Sequence, residues 1–384
     1  MKSLRLGLNL IWLILLFGFA AAQAEIPPPP PFEAKSYLLT DFHTGKELAG
    51  LEPDQRLPPA SLTKIMAVYV ILHELAQGKL KLDDLVTISE RAWRAEGSRT
   101  FVEVNKQVPV EVLLKGVIVQ SGNDATIALA EHVAGDERTF AEMMNQHAHR
   151  LGMQNTHFTN STGLPDPDHY TSARDLNILT QALIRDFPQY YPWFKLKEFT
   201  YNNITQHNRN LLLWRDPSVD GVKTGHTQEA GYCLVASAER EGMRLIASVM
   251  GTPSEKARTN VVQALLGYGF RFFTTQKLKD AGKLAEARVY KGKQNRLDLG
   301  VTTPIYATVP KGEEGKLTTT LEIAPRIIAP VQQGQVLGKL KVQLGEKTMA
   351  EYPLVALQEV PEAGFFGKWI DEGLLKVQEW WQHE

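Results

Sequence analysis

Ser61 and Lys64 stand three residues apart at the head of an apolar stretch, Ser121 and Asn123 flank a glycine, and Lys223-Thr224-Gly225 precedes a further apolar run. These residue types suit acyl transfer. A serine hydroxyl is a poor nucleophile at neutral pH until a base takes its proton, and a lysine one helical turn further on lies on the same face. To act as that base, Lys64 must have its pKa lowered from about 10.4 towards 7. Burial and a nearby cation both push that way. Lys223 is the expected source of the cation and also a holder for an anionic substrate group, with Thr224 and Gly225 beside it. Ser121 is expected to relay a proton to the leaving group, and Asn123 to grip a substrate amide. An acyl-transfer site also needs two donors aimed at the developing oxyanion, and the N–H groups of Ser61 and His226 are assigned to that task. The His226 side chain reads equally as participant or bystander.

The elements that must position these groups are legible from periodicity. Pro58-Pro59 stops the incoming segment, and Ser61 to Leu75 carries apolar residues around most of its circumference, as a helix in the protein interior does. Ser61 is then expected at its N-terminus, where unpaired N–H groups and the helix dipole favour negative charge. Further helices are expected at Val110–Val119, Asp124–Val133, Thr139–Leu151, Ala173–Arg185 and Glu255–Leu266. Strands are expected at Gly231–Ala238 and Arg244–Met250, and a β-hairpin joins Ser36–Phe42 to Lys46–Ala49 through His43-Thr44-Gly45. This pattern predicts a mixed α/β fold with an antiparallel sheet. Cys233, the single cysteine, falls in a strand-like apolar run and reads as a buried, inert thiol.

The flanking regions differ in character. Lys2 and Arg5 precede an apolar run from Leu10 to Phe17, and Ala22-Gln23-Ala24 supplies a small-x-small cleavage pattern, so residues 1–24 read as an export signal. A permanent membrane helix is the alternative, but the run is short for a bilayer. Residues 25–31 form a proline-rich spacer and 32–273 the catalytic unit. Residues 274–360, with short β-rich segments at Pro304–Val309, Lys316–Ile323 and Leu337–Leu344 between glycine-rich turns, suggest a small all-β domain. In residues 361–384, Phe366, Trp369, Ile370, Val377, Trp380 and Trp381 share one helical face. That face suits a membrane interface, with docking on the β domain or another subunit as the alternative. Its acidic balance implies a mainly apolar grip. With 42 basic and 43 acidic residues in 384, nothing marks a nucleic-acid binder. His147, His149 and His157 raise a metal centre as a rival, yet His147 and His149 point to different sides of a helix, and solvated histidines account for them. No cofactor is expected.

The order Ser-x-x-Lys, Ser-Gly-Asn, Lys-Thr-Gly resembles that of penicillin-binding proteins and class A β-lactamases, which carry Ser-Asp-Asn as the middle element. The wider match, through Pro59-Ala-Ser-Leu-Thr-Lys64, Ser121-Gly-Asn-Asp124, Asn160-Ser-Thr-Gly-Leu164, Ser172-Ala-Arg-Asp175, Asn208-Arg-Asn210, Asp220-Gly-Val-Lys-Thr-Gly-His226 and Gly267–Phe273, resembles the low-molecular-mass penicillin-binding proteins, serine-type D-alanyl-D-alanine carboxypeptidases of the type-5 group. The resemblance spans essentially the whole mature chain. It implies a β-lactamase/transpeptidase-like fold and removal of the terminal D-alanine from peptidoglycan stem peptides through a serine acyl-enzyme. Acylation of the same serine by β-lactams, which leave it slowly and so inhibit, and a role in cell-wall maturation and cell shape are implied too. So are cleft positions for Arg209 and Arg258, the latter on the substrate carboxylate, and a place on the periplasmic face of the inner membrane. No Glu-x-x-Leu-Asn lies between Asn160 and Asp175, which argues against antibiotic hydrolysis as the main activity. A D,D-endopeptidase, a weak β-lactamase and a non-catalytic penicillin sensor or envelope-binding protein are the alternatives.

Overall fold

A computed structural model describes residues 26–364 together with Asp371. The export-signal reading, and the amphipathic-tail reading apart from residues 361–364 and Asp371, lie outside the described residues. Asp371 accepts the Lys291 N–H at 2.5 Å and pairs with Arg288 at 3.5 Å, both on the β domain.

Five antiparallel strands form the central sheet, in the order Glu47–Leu51, Ser36–Asp41, Met243–Thr252, Gly231–Arg240, Val219–Thr227. The two longest inner runs are apolar without alternation because both faces are covered. Leu234, Ala236, Leu245, Ala247 and Val249 face the helix Glu255–Phe272 through Val261, Val262, Leu265 and Leu266. Cys233, Val235, Ile246 and Met250 face the other way, into a larger core built on the helices Thr63–Ala76, Asn123–Ala134, Glu137–Leu151 and Ala173–Asp186. The fold is therefore the expected α/β sandwich of helices on an antiparallel sheet. Local sequence sets the helix starts: the side chains of Asp136, Ser172 and Ser254 each cap the N–H three residues on.

The last helix runs six residues further than its apolar pattern suggests and passes directly into the strand Phe273–Lys279, paired with Ile305–Pro310. Beyond it a six-stranded sheet, including Gly282–Tyr290, Arg296–Val301, Leu317–Ile323, Val336–Leu344 and Lys347–Ala356, encloses small cores around Leu299 and Leu340. This β unit is held to the first hairpin of the catalytic sheet. Thr275 Oγ1 donates to the buried Asp41 at 2.6 Å, Lys46 Nζ donates to Thr308 O at 3.0 Å, and His43 stacks on Tyr306 at 4.1 Å. No described helix is long and apolar enough to cross a membrane.

Candidate active site

Ala60 adopts a left-handed φ of 48°, which turns the chain sharply out of Pro58-Pro59. Leu62 N–H then bonds back to Pro59 O at 3.1 Å, so Ala60–Leu62 is a 3-10 turn and the α-helix starts at Thr63. Ser61 thus belongs to the tighter turn before the α-helix and not to its first α turn, a correction to the periodicity, which cannot register one-turn changes of helix type. The next wall is close: a Cβ on Gly225 would meet Pro59 O at 2.9 Å and Leu62 N at 3.2 Å. Glycine in Lys-Thr-Gly is what lets the strand lie against the Ser61 turn.

Lys64 is fully buried, and its Nζ donates to Ser61 Oγ at 3.1 Å and to Thr162 O at 2.6 Å. Burial pushes its pKa down to about 7; Glu137 and Asp124 oppose the fall, and Arg209 adds to it. Arg209 is thus a second cation acting on Lys64, beside the expected Lys223, whose charge and that of Lys64 repel each other. Lys223 is itself buried, and its Nζ donates to Thr224 O at 3.1 Å. Burial, then the charges of Lys64, Arg209 and Arg258, hold its pKa well below the ordinary lysine value. An anion entering the cleft would favour its charged form.

Ser121 follows a π-helical turn at Gly116–Gln120 and sits in the left-handed region, φ 66° and ψ 35°. A non-glycine residue so held carries backbone strain that its surroundings must impose. They do so here through Asp124, whose buried carboxylate accepts the N–H groups of Thr100, Phe101 and Val102. Asn123 ties the same loop, its N–H reaching Ser98 O at 2.7 Å and its Nδ2 reaching Glu96 O at 2.5 Å. The amide donor expected to grip substrate is thus engaged in structure, while Asn123 Oδ1 and Ser121 Oγ have no hydrogen-bond partner among the described residues.

Arg209 reaches the cleft because its neighbours are anchored. Asn208 Nδ2 donates to Leu196 O and Asn210 Nδ2 to Gly221 O, both buried, which leaves the intervening Arg209 exposed. Arg258 is only 3% exposed; it donates to Gly225 O at 3.2 Å and to Glu255 at 2.7 Å, with its Nε unpartnered among the described residues. His226 is exposed and stacks on Tyr232 at 3.9 Å. Ser61, Ser121, Arg209, Thr224, Gly225, His226 and Arg258 line one cleft of about 360 Å³. Lys64, Asn123 and Lys223 lie behind its surface.

Sequence reasoning missed Ser98, Tyr232 and Glu255 as further lining residues, and no local pattern points to them. It also gave no role to the segment Asn160–Gly163. There Asn160 Oδ1 accepts the N–H groups of Thr162 and Gly163, folding the loop so that the Thr162 carbonyl meets Lys64. His169 accepts the Thr159 N–H on Nδ1 at 3.1 Å, so Nε2 carries the proton and donates to Thr63 Oγ1 at 2.8 Å. The histidines of the rival metal reading lie apart from this. His147 is buried against Tyr69 and His73, contrary to the solvated position expected for it, while His149 and His157 are exposed. Cys233 is fully buried, and burial pushes its thiol up to about 11.

Residues 22–254 match the family model described as D-alanyl-D-alanine carboxypeptidase, and residues 273–362 match that of the penicillin-binding protein 5 C-terminal domain. The chain is 46% identical over 357 residues to the D-alanyl-D-alanine carboxypeptidase DacA of Haemophilus influenzae, covering 91% of each chain. It superposes on the crystal structure of penicillin-binding protein 5 from the same organism with a TM-score of 0.83, at 44% identity, over 88% of this chain and 100% of that one. The ampicillin-bound form of penicillin-binding protein D2 from Listeria monocytogenes aligns with a TM-score of 0.59, at 27% identity, over 63% of this chain and 100% of that one.

Proposed function

The chain belongs to the D-alanyl-D-alanine carboxypeptidase family, and from that membership we propose that Ser61 is the acyl-ester nucleophile and Lys64 its general base. The protein is a serine-type D-alanyl-D-alanine carboxypeptidase acting on peptidoglycan, of the penicillin-binding protein 5 type. The observation that carries the residue assignment is the hydrogen bond between Lys64 Nζ and Ser61 Oγ in a setting that brings the lysine pKa to about 7.

In the forward step Ser61 Oγ attacks the carbonyl carbon of the penultimate D-alanine while Lys64 accepts the hydroxyl proton. The tetrahedral oxyanion is received by the N–H groups of Ser61 and His226; the latter lies on a strand that, among the described residues, has no further strand on its cleft side. Collapse breaks the C–N bond, and the departing amine takes the proton from Lys64 through the unengaged hydroxyl of Ser121. Water then attacks the ester, with Lys64 again taking a proton, and releases the shortened peptide. Arg209, Arg258 and Lys223 attract the carboxylate of the terminal residue, and Thr224 and Gly225 provide the strand against which the peptide lies. A β-lactam enters by the same attack but stays tethered, since its leaving group is part of the acyl moiety.

Export through residues 1–24 and peripheral attachment to the periplasmic face of the inner membrane through residues 361–384 complete the proposal, together with a contribution to cell shape. Their support is the charge and apolar patterning of those segments. The test of the chemistry is D-alanine release from a monomeric stem pentapeptide. Wild type should release it and bind labelled penicillin covalently, and Ser61→Ala should do neither; labelling that persists in that variant would overturn the assignment. Removing residues 365–384 should free the protein from membranes that retain it through a salt wash.

A further inference from the structure

Glu137 is a carboxylate only 6% exposed, yet no step of the reaction uses it. One oxygen accepts both the N–H and the hydroxyl of Ser161, at 3.0 and 2.6 Å; the other accepts Arg91 Nη2 at 2.5 Å. Ser161 immediately precedes Thr162, whose carbonyl oxygen holds Lys64 Nζ at 2.6 Å. Arg91 lies on the short helix Glu90–Trp93, just ahead of the loop whose Glu96 and Ser98 carbonyls receive Asn123. Glu137 therefore joins two walls of the cleft from behind.

We propose that Glu137 is a positioning residue for acyl transfer, holding the Ser161-Thr162 backbone against Lys64 and supplying negative charge that lets this buried lysine pass between ammonium and amine. Its partner Arg91 is 59% exposed, so water weakens the neutralisation of the pair, and Glu137 is the largest of the charges that keep Lys64 protonatable. The other groups acting on Lys64 are Asp124 from the helix Asn123–Ala134, Arg209 from the anchored loop and Lys223 from the edge strand. His169, next to Thr63, is held by burial near 4 and stays neutral across the working range.

The proposal rests on Lys64 being the base, and the experiment separates the two claims. Acylation of the full-length protein by a fluorescent penicillin is followed from acid to alkaline pH in wild type, Glu137→Gln and Arg91→Met. Amide for carboxylate keeps the acceptor for Ser161 and removes the charge. The rising limb should move to lower pH in Glu137→Gln, with a plateau lowered roughly three- to tenfold because the lysine becomes a weaker base. In Arg91→Met the limb should move to higher pH, because a cation has been removed. Rate losses with limbs that overlay the wild-type curve would reduce Glu137 to a fold residue. If Glu137→Gln does not fold, Ser161→Ala, which removes the hydroxyl through which Glu137 holds the Thr162 backbone, decides in its place: an acylation profile that overlays wild type overturns the proposal. Undiminished acylation in Lys64→Met would instead overturn the base assignment.

Discussion

Gly163 is pressed so closely on Ala60 that a Cβ there would overlap the Ala60 carbonyl, and Gly163 itself takes φ +84°. The residue before Ser61 and the residue after the carbonyl that holds Lys64 are thus in direct contact. Gly163→Ala should meet both a steric and a backbone penalty, together roughly 2–4 kcal/mol. A fall in thermal midpoint with at least a tenfold loss of penicillin acylation is the expected pair of results. Unchanged acylation in a stably folded variant would show that this contact does not set the nucleophile turn.

Lys64 carries a cost to stability. Its folded pKa of about 7 lies below the ordinary value of about 10.4, so between those values the unfolded chain binds more protons and stability rises with pH. Below about pH 7 both states are protonated and the penalty is complete, of the order of 4 kcal/mol. Lys64→Met should abolish acylation while making the protein more stable at neutral pH than wild type, with a flatter dependence between pH 7 and 10. Urea unfolding across that range measures it, and equal slopes in the two proteins would contradict the buried-lysine reading.

Two buried histidines have the same kind of dependence on the acid side. Burial holds His147 and His169 near 4, below their unfolded value of about 6.5. Their contribution is complete above pH 6.5 and is lost as pH falls towards 4, up to about 3 kcal/mol each. His169→Gln should reduce the acid-induced drop in urea midpoint over that window. It should also lower acylation several-fold, since the donor to Thr63 beside the base is altered.

Ser121 should show activity and backbone strain pulling apart. Ser121→Gly removes the cost of a left-handed φ of 66° and of a buried hydroxyl with no hydrogen-bond partner among the described residues, so the variant should unfold no more easily than wild type. D-alanine release should nevertheless fall about 100-fold or more through loss of proton relay. Release within a few-fold of wild type would remove Ser121 from the mechanism.

Arg209 is exposed, and substitution should leave the fold intact. Arg209→Ala removes a cation that pushes Lys64 down, so the rising limb of the acylation profile should move to higher pH. The KM for a peptide ending in a carboxylate should rise about tenfold, more than for its amidated counterpart. Equal effects on both peptides would argue against carboxylate recognition by this guanidinium.

Much of the scaffold was legible because it is written in local periodicity. The helices around Ala128 and Leu179 and the inner strands around Val235 and Ala247 follow the predicted ranges closely, whereas the helix expected at Val110–Val119 is α-helical only to Lys115 and continues as the π-helical turn Gly116–Gln120. The strands Gly282–Tyr290 and Arg296–Val301 were not anticipated, since the first is half-exposed and polar along much of its length and declares itself only when paired. At the site, motif order identified the groups that meet, because sequence carries their chemistry directly. It could not supply Glu137, the Thr162 carbonyl or Ser98, whose relevance comes from contacts between distant segments. Nor could it show that Arg209 acts on Lys64, a matter of through-space electrostatics between loop and helix.

The β unit is fastened to the hairpin Ser36–Leu51, and that hairpin forms one edge of the catalytic sheet while the cleft strand Val219–Thr227 forms the opposite edge. The clamp and the working rim are separated by the full width of the sheet. The helix Glu255–Phe272 also joins the two units, since it runs directly into Phe273–Lys279, so a pull on the second domain is shared between that helix and the contacts of Asp41, Thr275 and Thr308, with two strands lying between the hairpin and the cleft strand. Load taken through the clamp enters the sheet at the edge away from the turn that presents Ser61.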